Sequence, residues 1–229
     1  MQPVNVQDFL TRLAIDFKSN NESIFGLALG ISTNNVSGLV NTTNKTRIFG
    51  YNLIAYGAYD VPYFVEWLEW IASGTLSKNS GVRIFGLNGT DLSTSASYDG
   101  VLGGIKINIG NNYAITDVHS ISPVLTSQYV LAHQPAYDET NSVAALHVAT
   151  QPTQSILTFG AGFRLFETNL ADGMGEVSAV VTYDVLSPKQ VTTANFVVGS
   201  SSFIMSSSPA RLALKLSADY NLNLYKSLN

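Results

Sequence analysis

Apolar residues recur at every second position along most of this chain. The clearest run spans 211–225, where Leu212, Leu214, Leu216, Ala218, Tyr220, Leu222 and Leu224 alternate with mostly polar neighbours. Such alternation marks a strand with one buried face. A second run sets Leu157, Phe159, Ala161, Phe163 and Leu165 on one face. Gly160 and Gly162 fall on the other face, where bends or close backbone approach are expected. A third run carries Val177, Ala179, Val181, Tyr183 and Val185 and stops at Ser187–Pro188. Further strands are expected near 24–32, 46–56, 81–87, 101–109, 113–118, 127–133, 143–149 and 191–198. Asn34–Asn35, Asn88–Gly89, Asp99–Gly100, Asn111–Asn112 and Asp172–Gly173 have turn chemistry.

Two segments depart from period two. Val6, Phe9, Leu10, Leu13, Ala14 and Phe17 follow the spacing of one helix face, with Asn5 as cap, which predicts a helix over about 6–17. A second helix is expected over about 61–72, capped by Asp60, with Pro62 in its first turn and Ser73–Gly74 at its end. Its aromatics Tyr63, Phe64, Trp67 and Trp70 nearly encircle the axis, which predicts burial on more than one side. The resulting fold class is mainly β: an antiparallel β-sandwich (jelly-roll-like) or a barrel, with these two short α-helices. No composition break divides 1–229, so the expectation is a single β-rich domain with an N-terminal amphipathic helix. Residues 47–52 and 83–88 share five of six positions, and their flanks match poorly.

Composition narrows the setting. Charged residues are 12% of the chain and hydrophobic residues 45%, with mean hydropathy +0.15. That excludes intrinsic disorder. No apolar run reaches the ~18 residues of a membrane-spanning helix. A net charge of −4 and scattered basic residues give no footprint for nucleic acid. The N-terminus, Met1-Gln2-Pro3-Val4-Asn5, lacks the basic and apolar regions of a secretory signal. The chain contains no cysteine, which removes disulfides, thiolate metal sites and a Cys nucleophile.

Candidate chemistry is sparse. His119, His133 and His147 are evenly spaced, and Asp117 or Asp138 could complete a metal shell if hairpins brought them together. No local chelating pair supports this, so no metal and no cofactor is expected. Glu66 and Glu69 are a carboxylate pair between aromatics, and Asp138–Glu139 follows Pro135-Ala136-Tyr137 in an expected loop. Gly100–Gly104 and Gly160–Gly162 lack the helix and lysine of a phosphate loop. No Gly-x-Ser-x-Gly elbow occurs, and no catalytic residues are expected.

Function is therefore argued from the surface. Ser, Thr, Asn, Gly and Tyr desolvate more cheaply than Lys and Glu and suit burial against neighbouring molecules. The expectation is a self-assembling structural protein of a virion (a capsid, coat, tail or decoration subunit), homo-oligomeric and located in virions or outside the cell. Phe9, Leu13 and Phe17 on the first helix, with Trp67 and Trp70 on the second, are its assembly and packing candidates. Direct nucleic-acid binding and a membrane span are not expected. One alternative is an extracellular carbohydrate- or ligand-binding β-sandwich. Another is an outer-membrane β-barrel, favoured by the alternating C-terminal strands and opposed by the missing signal, the helix at 61–72 and the terminal Asn229.

Overall fold

A computed structural model describes residues 4–19, 23–38, 45–61, 65–87, 90–170, 173–198 and 202–222. Fourteen strands are present: β1 (Val4–Ser19), β2 (Ser23–Gly38), β3 (Lys45–Asp60), β4 (Trp67–Leu87), β5 (Thr90–Gly110), β6 (Tyr113–Ala114), β7 (His119–His133), β8 (Tyr137–Asp138), β9 (Leu146–Val148), β10 (Gln154–Leu170), β11 (Gly173–Leu186), β12 (Gln190–Phe196), β13 (Ser202–Ser207) and β14 (Leu212–Leu222). The main sheet runs β1-β2-β3-β4-β5-β7-β10-β11-β14 with β6 beside β7, all antiparallel. A small sheet follows the order β13-β12-β9-β8.

No helix occurs among the described residues, which corrects both expected helices. In β1, Leu13, Ile15 and Phe17 pair with Leu29, Leu27 and Phe25, so period two holds and Ile15, off the helical stripe, falls in line. Trp67 to Ala72 opens β4, with Trp67 and Trp70 on opposite faces. Tyr63 and Phe64 lie outside the described residues. Asn34–Asn35 and Asp99–Gly100, expected as turns, lie inside β2 and β5. Asn111–Asn112 does join two strands.

The connections are unequal at the two ends of the sheet. One end, the turn end, carries the joins β1–β2, β3–β4, β5–β7 and β10–β11, none longer than the span 111–118. The other, the loop end, carries 134–153 and 187–211, which hold the small sheet, and the prolonged β4–β5 hairpin. Leu146, Val148 and Ala194 form the core of the small sheet, with Tyr137 packed against them. Three contacts clamp it to the hairpin. Arg83 donates to Glu139 at 3.1 and 2.5 Å and to the Ala144 carbonyl at 3.1 Å. Tyr98 and Tyr137 stack with centroids 4.1 Å apart, and Ser95 bridges to Thr140.

The main sheet is not closed, and β1 and β14 are its edges. Both run from the loop end to the turn end, as nine alternating strands require. No second sheet covers either of its faces along the span from Leu157 to Leu165, so a sandwich is not what forms.

Candidate functional site

The register sorts the main sheet into two faces of opposite chemistry. Leu29, Leu53, Ile105, Ile107, Leu125 and Phe159 lie on one face. Val177, Val181, Leu212, Leu214 and Leu216 continue it to the edge. These side chains are exposed, Leu13 at 74% and Leu216 at 72%. The buried positions are instead largely polar: Asn79, Asn108, Thr158 and Thr182, with Thr94 and Ser122 the largest fully buried side chains. This reverses the order of a water-soluble domain, where contiguous apolar patches above a few hundred Å² are rare.

The apolar face forms a band of defined height. It spans Val101 to Ile109 on β5 and Leu157 to Leu165 on β10, about 27 Å of strand at ~3.4 Å per residue. Tilted by about 40°, such a stretch rises ~21 Å, close to the ~25 Å apolar belt of outer-membrane barrels. Charge resumes at both borders. Lys78 faces Asp99 at the loop end, and His119 Nε2 lies 3.8 Å from Glu167 at the turn end. Aromatic pairs mark the same borders: Phe25 with Tyr59, centroids 5.5 Å apart, and Phe49 with Tyr51 at 5.0 Å. Trp70 packs over Gly57 near the turn end, and its Nε1 has no hydrogen-bond partner among the described residues.

The polar face is concave, as contacts between strands that are not neighbours show. Arg164 on β10 reaches over β7 and β5 to Glu69 on β4, donating from Nη1 and Nη2 at 2.9 and 2.8 Å. Its Nε lies 3.5 Å from Glu176, and its guanidinium sits 4.7 Å from the Trp67 ring centroid. Trp67 Nε1 donates to Ser122 at 3.1 Å, and Asn108 donates to Glu69 at 3.2 Å. Glycines permit this curl: the Trp67 ring lies on Gly110, and a methyl at Gly162 would collide with the backbone of Ala179. Along the wall Thr75 donates to Asn52 at 2.7 Å, Asn52 to Ser32 at 3.2 Å, Thr158 to Asp184 at 2.6 Å, and Tyr56 to Asp16.

Two cavities lie against this wall. One, about 250 Å³, is lined by Lys106, Gln128, Arg164, Glu176 and Lys215. The other, about 530 Å³, opens at the loop end between Asn52, Thr75, Asn79 and the small sheet's Thr192. Gln151 borders it, accepting from Thr192 at 3.1 Å. Beyond the band, burial pushes the Tyr98 phenol up, and burial with the Tyr98 and Glu139 neighbours pushes Tyr137 up to about 12.

The sequence candidates fall as follows. Leu13, Phe17 and Trp70 are on the apolar face, Trp67 on the polar one; the side chain of Phe9 lies outside those described. The histidines are apart. His119 contacts Thr116 and His133 contacts Thr153, while Asp138 is brought only to His147, at 2.6 Å. Among the described residues no three His, Asp or Glu are grouped for a metal. Glu66 accepts from the Asn112 backbone at 2.6 Å and Glu69 belongs to the Arg164 cluster, so the pair separates. Arg164, Lys106 and Lys215 went unnoticed in the sequence. Their one signal is a charge at a strand position whose two neighbours are apolar.

The autotransporter beta-domain family model matches residues 11–229. Among solved structures the chain is similar to the translocator domain of autotransporter NalP from Neisseria meningitidis. That similarity has a TM-score of 0.71 and 16% identity, covering 96% of this chain and 81% of that one. No curated protein matches. With the exposed apolar band, these findings overturn the virion and capsid reading and the virion location. They also overturn the expectation that nothing here spans a membrane, and they lend the homo-oligomer no support. No helix among the described residues is long and apolar enough to cross a membrane. Matched over nearly its whole length, the chain belongs to the autotransporter β-domain family.

Proposed function

We propose that this chain builds the wall of a β-barrel in a bacterial outer membrane, through whose polar interior a polypeptide passes to the outside. The apolar convex band carries the reading, since it matches the hydrocarbon thickness and is bordered by aromatics and charge. The polar concave wall suits a translocating chain, because every backbone group on such a chain needs a hydrogen-bond partner. Asn52, Thr75 and Asn79, which line the loop-end cavity, present neutral polar groups without the desolvation cost of ions. The loop end faces outward, because outer-membrane barrels keep short turns in the periplasm. Since β1 and β14 run in the same direction, their seam becomes antiparallel only with an odd number of strands set between them. The wall itself performs no catalysis.

Epitope insertion tests this. In bacteria making the chain, an epitope between Ser142 and Val143 is expected to be reached by antibody on intact cells, and one between Asn111 and Asn112 only after permeabilisation. Recovery of the chain in the soluble fraction, or the reverse accessibility, overturns the proposal.

A further inference from the structure

Just above the apolar band at the loop end, a strip of cations lies on the membrane-facing side. Lys45 and Arg47 are two positions apart on β3, hence about 7 Å. They precede Phe49 and Tyr51 on the same face. Lys78 is registered opposite Phe49, a diagonal neighbour of Arg47 at about 7–8 Å. All three are exposed, and none makes an ion pair among the described residues. Two acids lie near the three cations, Asp99 registered opposite Lys78 without closing a bridge and Asp138 beside His147, so the strip keeps a net positive charge. Lys45 and Arg47 line a groove of about 860 Å³, whose other walls include Asn35, Ser37, Ser80, Ser97 and the single acid Asp138. Most of these share the parity of the band, so the groove continues upward from the lipid-facing surface.

We propose that this groove binds the phosphorylated sugar headgroup of a lipid in the outward leaflet. The band below seats acyl chains, Lys45 and Arg47 in the groove and Lys78 beside it meet phosphate, and the amide and hydroxyls meet sugar hydroxyls. The site rests on the membrane reading above. Like charges crowded on one strip repel each other, and an anionic headgroup removes that cost, which a neutral lipid does not do.

The test titrates the detergent-folded full chain with diphosphoryl lipid A and with the same lipid stripped of phosphate, counting bound lipid by native mass spectrometry. Each basic group near an anionic headgroup contributes on the order of fivefold. Combining Lys45→Gln, Arg47→Gln and Lys78→Gln is therefore expected to weaken diphosphoryl binding by roughly 100-fold. Lys189→Gln, elsewhere at the loop end, leaves it unchanged. Equal binding of both lipids, or an unaffected triple variant, overturns the site. Should the triple variant misfold, salt titration of the unaltered chain substitutes: affinity must fall steeply for the phosphorylated lipid alone, and a flat response overturns the proposal. A chain that inserts into vesicles but ignores phosphate sinks this site only. One that never inserts sinks the membrane reading with it.

Discussion

Replacing Arg164 with alanine tests whether the concave wall is held by charge. The substitution removes two hydrogen bonds to Glu69, at 2.9 and 2.8 Å, the 3.5 Å contact with Glu176 and the stack on Trp67. Breaking a fully buried pair costs about 3–5 kcal/mol. Here the side chains are 15% and 37% exposed, so screening reduces that to ~1.5–2.5 kcal/mol. The ring contact adds about 0.5–1 kcal/mol, giving ~2–3.5 kcal/mol for Arg164→Ala. Glu69→Ala leaves Arg164 with Glu176 and should cost ~1–2 kcal/mol, with a coupling near 1–2 kcal/mol in the double-mutant cycle. The assay is reversible urea unfolding of vesicle-inserted protein followed by far-UV circular dichroism, because loss of the guanidinium alters Trp67 emission by itself. Exposed ion pairs give about 0.2–1 kcal/mol. Both single variants within about 0.5 kcal/mol of the parent, with no coupling, would refute an interior network.

Other perturbations address the remaining features. Leu214→Arg, at a 63% exposed position, should destabilise the vesicle-inserted protein by ~2–4 kcal/mol if lipid covers it. The same change on a watery surface costs under about 0.5 kcal/mol, and that small value in the urea titration would count against a lipid-facing band. Gly162→Ala drives a methyl into the Ala179 backbone and should cost more than ~2 kcal/mol or abolish the heat-dependent shift in electrophoretic mobility expected of a folded barrel. Tyr137 ionises near 12 in the folded protein against 10.0 when free, so between those values the unfolded chain has lost a proton that the folded one retains. Stability should be unaffected by Tyr137 below pH 10 and fall as pH rises toward 12. The absorbance difference between the parent and Tyr137→Phe should develop toward pH 12, and a difference developing near pH 10.0 would contradict that burial.

The strands of the C-terminal half were legible because their apolar residues fall mostly on one face. The runs at 157–165 and 177–185 correspond to β10 and β11, and the run at 211–225 to β14 as far as Leu222, where the described residues end. β1 was misread because Leu10 and Ala14 add apolar residues at the other parity, which imitates a helical stripe. The start of β4 was misread because Trp67 faces the concave wall and Trp70 the convex one, so aromatics occur on both sides. Asp99–Gly100 resembles a turn because β5 changes solvent there. Val101 to Ile109 is apolar on one face, whereas residues 90–100 extend beyond the band and are mostly polar, with Tyr98 stacking on Tyr137. Of the concave cluster, Trp67, Glu69 and Gly162 could be picked out singly, but not as partners. Arg164 and Glu69 meet across two intervening strands, and no local spacing encodes that encounter.

A chain with 12% charged residues needs its apolar side covered, and the sequence alone does not say by what. Copies of a coat subunit and lipid acyl chains both tolerate few ions, so composition cannot separate them. The opposite face can. In a two-sheet sandwich the apolar faces meet each other, and the polar faces are open to water and free of long-range contacts. Here a single curved sheet turns its polar face inward, where Glu69, Arg164, Glu176 and Trp67 meet, and leaves Leu214 and Leu216 facing outward with no second sheet to receive them. Subunit contacts would cover that surface in patches of varied height. The observed band instead stops at charge and aromatic residues along both borders. A cover of constant thickness on every strand is what a bilayer supplies.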